Sequence, residues 1–197
     1  MNQYNEQNII MNLGSGPTHY MNRNDLINVD IFAFDEVDLV ADATDLPVED
    51  ESADLIINCA MLEHVGKPET IVREMRRIAK QGAQFICYLP FIVPFHAAPD
   101  DFHRWTISGA RTLFEAEFVE VEVIVGAGPT SGLLWVLLEW LSTLLSFGSK
   151  TLHDIILLAL MVFTSPIKLL DLLMVKLPYA ENVASGFCVI GRKGPLR

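Results

Sequence analysis

The sequence predicts an open α/β sheet. Short apolar runs each end at a polar residue or a glycine, and helix-period segments separate the later ones. The runs are near-continuous Ile, Leu and Val, as in parallel strands buried on both faces. Charge then divides the chain. Residues 1–128 hold 21 Asp and Glu against 8 Lys and Arg, whereas residues 129–180 hold three of each and are strongly apolar.

The first strand is expected over residues 9–13, ending at Gly14-Ser15-Gly16. Glycines permit the sharp turn and the close backbone approach that follow a strand, although Gly-x-Gly alone marks only a turn. The second strand spans residues 26–30 and ends in Asp30; the third spans 37–40 and leads to Asp42. The fourth spans 53–58 and ends in Asn58. A helix follows from Pro68, with Ile71, Val72, Met75, Ile78 and Ala79 on one face, basic residues near its end and Gly82 as a left-handed cap. The fifth strand covers residues 84–89, and Thr106 or Ser108 caps a short helix. Residues 119–125 alternate Val with Glu, an edge-strand pattern, and residues 187–191 form a seventh strand.

Composition removes several classes. The 197 residues suit one domain with an appended element. The net charge of −11, with no run of Lys or Arg, excludes a nucleic-acid backbone as the expected partner. Cys59, Cys87 and Cys188 lie far apart in apolar surroundings and read as buried thiols of a reducing cytoplasm, not as a metal or redox motif. Residues 1–8 have neither the basic nor the apolar region of a signal peptide, so a cytoplasmic protein is expected. No metal is expected.

In open α/β sheets ligands bind beyond the carboxyl ends of the strands. Gly14, Gly16, Asp30, Asp42 and Asn58 all fall there. Each alone could be an ordinary loop start; together they outline a site.

These residues resemble the class I S-adenosylmethionine-dependent methyltransferases, in particular a bacterial branch like the type 11 methyltransferases. Leu13-Gly14-Ser15-Gly16 is similar to the family's first motif, and Leu46-Pro47-Val48 through Asp54-Leu55-Ile56 to its "LPF-pDxSFDlv" segment. Leu62-Glu63-His64-Val65, the next helix and the strand ending in Leu89-Pro90 continue in order over residues 9–125, with 187–193 as the final strand. The resemblance implies a Rossmann-like methyltransferase sheet, parallel with one antiparallel strand. It implies S-adenosylmethionine held by Leu13, Gly14, Ser15 and Gly16 at its methionine end. Asp30 and Ile31 would hold the ribose, a diol that suits a carboxylate with two acceptor oxygens. Asp42 and Ala43 would hold the adenine edge, and Asn58, Cys59 and Ala60 complete the site. The chain departs from the family in its short links: eleven residues from Gly16 to Asn28 and seven from Asp30 to Asp38 leave the first helices reduced or missing.

Methyl transfer from a sulfonium chiefly needs alignment and exclusion of water; a hydroxyl acceptor also needs a base. His96, Asp101 and His103, followed by Arg104, are the richest supply, with His64 as a further candidate. The plainer alternative is that the histidines are loop residues and that Arg104 pairs with Asp101 to shape the loop. Asn58-Cys59-Ala60-Met61 is not the Pro-Pro-aromatic loop of base N-methylases, so oxygen is the expected acceptor on a small molecule, glycan or lipid-linked glycan.

Residues 1–128 with 181–197 are expected to form the methyltransferase domain and 129–180 a hydrophobic helical insertion between the last two strands. Neither uncharged run of the insertion reaches the 18–20 residues of a membrane span, and Pro166 is expected to break or kink the second. Two readings stand. One is a hairpin lying in the membrane interface through residues 131–178, with Trp135 and Trp140 at headgroup depth, at the inner membrane. The other is a cap over the site or a homodimer interface. Two other functions compete with methyl transfer: a non-catalytic membrane adaptor on a degenerate methyltransferase fold, and a nicotinamide-dependent reductase, which the broken glycine pattern opposes.

Overall fold

The computed structural model describes residues 8–17 and 25–195. Seven strands form one sheet: β1 (Ile10–Leu13), β2 (Leu26–Asp30), β3 (Leu39–Val40), β4 (Ala53–Cys59), β5 (Ala79–Pro90), β6 (Val119–Ala127) and β7 (Gly186–Arg192). Their order is β3-β2-β1-β4-β5-β7-β6. The first five are mutually parallel, and β7 is antiparallel to both neighbours. This is the expected Rossmann-like methyltransferase sheet, with the alternating Val/Glu strand at its edge.

The core lies on one face. Helix α1 (Pro68–Ile78) buries Ile71, Val72, Met75 and Ile78 against the sheet. Each such side chain contributes on the order of 1.5–3 kcal/mol by leaving water. Phe85 stacks on Phe114 of α2 (Ile107–Glu115) at 4.8 Å, and Thr106 caps that helix through the Gly109 N–H. Among the described residues the opposite face carries a smaller cluster, Ile10, Leu26 and Leu55, with Ile57 and Ile86 packed against it. Among the described residues no helix lies between β2 and β4; Asp38 instead accepts the Asn28 N–H at 2.8 Å and folds the link back.

Three expectations need correction. The third strand is only two residues long, because the link from β2 is too short to align more. Gly82 does not cap α1. The helix stops at Ile78, Ala79 turns extended, and Gly82 (φ +79°) lies inside β5, where the pairing shifts between Ala79 and Gln84. A left-handed residue serves a bulge as well as a cap, and the local pattern does not separate them.

The third correction concerns the helices between β6 and β7: α3 (Pro129–Leu145), α4 (Lys150–Thr164), a 3₁₀ segment Ser165–Leu170 and α5 (Asp171–Met174). The helical path runs unbroken over Lys150–Met174, 25 residues, long and apolar enough by length and composition to cross a membrane. The α-helix itself ends at Thr164, just before Pro166, as expected, and the chain continues as a 3₁₀ segment with Pro166 in its first turn, where its fixed φ fits.

Asp171 locks this excursion to the sheet. Its carboxylate accepts the N–H groups of Thr130 (2.8 Å) and Ser131 (2.9 Å) at the start of α3. A Cβ at Gly128 would lie 2.2 Å from the Asp171 Cγ, so only glycine admits the contact.

Candidate active site

Strand register builds the first half of the site. Leu13 pairs with Val29 on one side and Asn58 on the other, and Asp30 pairs with Val40. The chain leaves the sheet at Gly14, Asp30 and Asn58 along one edge. Gly14 (φ +69°) and Gly16 (φ +62°) make the turn after β1. A Cβ at Gly14 would lie 2.5 Å from Met61, so the loop after β4 rests directly on the glycine turn.

Asp30 ties this turn together. One carboxylate oxygen accepts the Gly16 N–H at 2.8 Å and the other accepts the Phe32 N–H at 2.9 Å. The Gly14 and Ser15 N–H groups both donate to the Val29 carbonyl, at 2.8 and 3.1 Å. All three amides of the glycine turn therefore already have backbone or Asp30 partners. Leu13 is fully buried and Ser15 buried, whereas Ile31 is exposed beyond the strand end.

Asp42 accepts the backbone N–H and the hydroxyl of Thr44, both at 2.8 Å, which fixes the turn that presents Ala43. Asn58 is buried; its amide donates to the Leu13 carbonyl at 2.9 Å, and its Oδ1 has no hydrogen-bond partner. Cys59 is exposed, and Ala60 takes a left-handed conformation (φ +53°) that costs a non-glycine residue on the order of 1 kcal/mol. Such a cost persists where the surroundings over-determine the loop.

The second half lies just past Met61. A 3₁₀ turn, Leu62–His64, buries Glu63 completely. Neither of its carboxylate oxygens has a hydrogen-bond partner. Burial pushes the Glu63 carboxyl up, opposed by His64, His96 and Arg104. The same oxygen, Oε1, lies 3.7 Å from His96 Nε2 and 4.0 Å from His64 Nε2. The two imidazoles meet edge to face at 5.4 Å, and Trp135 of α3 lies 5.5 Å from the His96 ring. One face of the insertion therefore walls the site.

The loop after β5 is held in place by Arg104. It pairs with both oxygens of Asp101, at 2.5 and 2.6 Å, and donates to the Pro94 carbonyl at 2.8 Å. Asp101 also accepts the His96 N–H, and Phe102 donates its N–H to the Glu63 carbonyl at 2.7 Å. The Arg104 hydrogen bonds hold the Asp101 carboxyl well below the usual carboxylate range. Asp101 is thus a fixed anion that shapes the loop, which is the plainer alternative, and not a proton acceptor. His103 packs on Trp105 (5.4 Å) with its Nε2 buried and unpartnered, and it is not a member of the Glu63, His64 and His96 group. Of the four expected acid–base residues, the structure brings His64 and His96 together. It adds Glu63, which the sequence showed only as the middle of Leu62-Glu63-His64.

Residues 20–87 match a family model described as a methyltransferase domain. No curated protein matches the chain by sequence. Solved structures share its fold. Phosphoethanolamine N-methyltransferase 2 of Haemonchus contortus, solved with phosphomonomethylethanolamine and S-adenosylhomocysteine, aligns with 96% of this chain at 12% identity and a TM-score of 0.55. The chain spans about half the length of that enzyme, 49%. The 1,6-didemethyltoxoflavin-N1-methyltransferase of Burkholderia thailandensis aligns with 95% of this chain and 72% of its own, at 11% identity and a TM-score of 0.56. The [4+2]-cyclase SpnF aligns with 96% and 76%, at 12% identity and a TM-score of 0.55, so the fold alone does not name a reaction. The family match covers about a third of the chain, and the sheet order is that of the Rossmann-like methyltransferase fold.

Proposed function

We propose that this methyltransferase domain transfers the methyl group of S-adenosylmethionine to an oxygen of a small-molecule, glycan or lipid-linked acceptor. The observation that carries the reading is one edge of the sheet, where Gly14, Asp30 and Asn58 stand in register beside the buried Glu63 and its two histidines.

The residues fit the cofactor. Bound S-adenosylmethionine supplies a methyl group already activated on a cationic sulfur. Each Asp30 oxygen spends one lone pair on a backbone N–H and keeps another, which suits the two hydroxyls of a ribose. Asn58 Oδ1 is a buried acceptor without a partner, placed for the ammonium of the methionine end. Asp42, which fixes the turn through Thr44, and Ala43 are the residues assigned to the adenine edge. An acceptor hydroxyl gives up its proton at the Glu63–His64–His96 group, whose atoms facing one another are all acceptors. A nitrogen acceptor, as in the two N-methyltransferases above, is the competing outcome.

The acceptor class follows from the insertion. Helix α4 has no buried residue, and Leu158, Val162 and Phe163 stand exposed on it. Apolar surface this continuous marks an interaction site. Exposed Trp140 on α3 and the absence of net charge in residues 129–180 suit a bilayer interface better than the acidic surface of a second copy. The protein then works at the cytoplasmic face of the membrane on a lipid-linked acceptor.

Incubation with methyl-labelled cofactor and membrane glycolipid extracts tests this. Label recovered as a methyl ether is expected. Label on nitrogen contradicts the oxygen acceptor, and label only in water-soluble molecules contradicts the lipid-linked one.

A further inference from the structure

The geometry points to a divalent transition-metal site formed by Glu63 Oε1, His64 Nε2 and His96 Nε2, with open positions for the acceptor oxygen. Binding itself needs only these three residues; the role given to it rests on the methyl-transfer reading above.

Proton positions are the first argument. His64 Nδ1 lies 2.6 Å from the Asp100 carbonyl and His96 Nδ1 lies 2.9 Å from the Pro94 carbonyl. A carbonyl only accepts, so each Nδ1 carries the proton and each Nε2 of a neutral ring keeps its lone pair. Arg104 does not change this. The two N–H bonds of its Nη2 are spent on Pro94 O and Asp101 Oδ2, so its 3.3 Å approach to His96 Nδ1 carries no proton.

The second argument is the lack of any donor. Two lone pairs and a carboxylate face one point, with all three atoms within 4.8 Å of one another. Glu63 is fully buried and both its oxygens are unpartnered. A buried carboxylate without hydrogen bonds is strongly unfavourable unless a cation meets it or it takes up a proton, and a cation held by the two imidazoles meets it here without one. Zinc-like bonds of about 2.0–2.2 Å set ligand atoms roughly 3.0–3.5 Å apart. The two distances to Glu63, 3.7 and 4.0 Å, need to close by about 0.5 Å, and the histidine nitrogens, within 4.8 Å of one another, close in the same movement.

The third argument is the support around the ligands. Metal-bound histidines donate their second N–H to a carbonyl or carboxylate, which fixes tautomer and ring. Both histidines do so here, on a loop that Asp101 and Arg104 hold and that Phe102 ties to Glu63. Two imidazoles and one carboxylate select zinc, cobalt, iron or manganese over calcium or magnesium, which prefer all-oxygen sets. Three protein ligands leave a position open, as in catalytic sites. A hydroxyl coordinated there acidifies and releases its proton to solvent, so the cation performs the task otherwise given to a base.

Tag-free, chelator-treated protein titrated with Co²⁺ tests the site. One equivalent is expected to raise a visible d–d band that Zn²⁺ removes. Glu63→Gln, which keeps the buried shape, is expected to weaken Co²⁺ binding at least tenfold, and His96→Gln the same; Cys59→Ser leaves it unchanged. S-adenosylmethionine binding by calorimetry stays within about twofold in Glu63→Gln, and its absence in wild type would count against the methyltransferase reading and not against the metal. No band in wild type under excess Co²⁺, or equal affinity in both folded variants, overturns the proposal.

Discussion

The carboxyl edge of the sheet and helix α4 are built on opposite rules. At the edge, Asp30, Asp42 and Asp101 each meet backbone or side-chain donors, and the apolar residues beneath them are buried. In α4 the apolar residues are the exposed ones, and no residue of the helix is buried. The edge is therefore explained from within the fold, and α4 is not. Helix α3 lies between the two cases. Leu134 and Leu138 pack inward and Trp135 reaches His96, while Leu133, Leu137 and Trp140 face out with α4. The insertion therefore has two unlike faces: one walls the site and the other leaves its apolar side chains exposed.

The sharpest way to break this contrast is to truncate one large side chain in each region. Met75→Ala, beneath the sheet and fully buried, is expected to cost about 3 kcal/mol in urea unfolding. Phe163→Ala, on α4 and 84% exposed, is expected to cost less than about 0.5 kcal/mol. Similar costs at the two positions would show that α4 packs against this chain in solution.

A smaller effect is expected where Arg77 ties the 46–50 turn to α1. Its guanidinium donates to the carbonyls of Leu46 and Val48 and pairs with Glu74 and Asp50. Arg77→Met is expected to cost about 2 kcal/mol at pH 7. Hydrogen bonds from Arg77 hold the Glu74 carboxyl below its ordinary value of 4.5, so the stabilisation is present above that pH and is lost as Glu74 protonates. The gap between wild type and variant should narrow below about pH 4.5. A gap that stays constant down to pH 3 would assign the loss to packing.

The smallest stability effect should accompany the clearest change in behaviour. Leu158→Glu with Phe163→Glu is expected to shift stability by less than about 0.5 kcal/mol yet abolish flotation with anionic liposomes. If flotation persists, the membrane is not what covers α4; if wild type never floats but dimerises and the variant does not, the partner is a second copy.

Much of this was legible in the sequence. Apolar runs that end in Gly14, Asp30 and Asn58 are local patterns, and parallel pairing puts them side by side. Burial and proton placement were not legible. Glu63 reads as an ordinary acid in a turn, and its full burial depends on the loop after β5, about 35 residues further along, folding over it. The hint available was the adjacency of an acid and a histidine after the fourth strand, with further histidines after the fifth. Asp101 looked like a base for the converse reason, since only geometry shows both its oxygens held by Arg104. Gly82 misled because the rule for caps is local, whereas a strand bulge is set by what the segment packs on. The lead into β2 falls on residues 18–24, outside the described residues.

The central claim is that the sheet edge holds S-adenosylmethionine with Asp30 on the ribose. Titration calorimetry of the cofactor into wild type and Asp30→Ala, with circular dichroism to confirm that both are folded, tests it most directly. Saturable heat in wild type and affinity lower by about 100-fold in the variant, on the order of two charge-assisted hydrogen bonds, is the result this account predicts. No heat in wild type, or equal affinity in both, would contradict it.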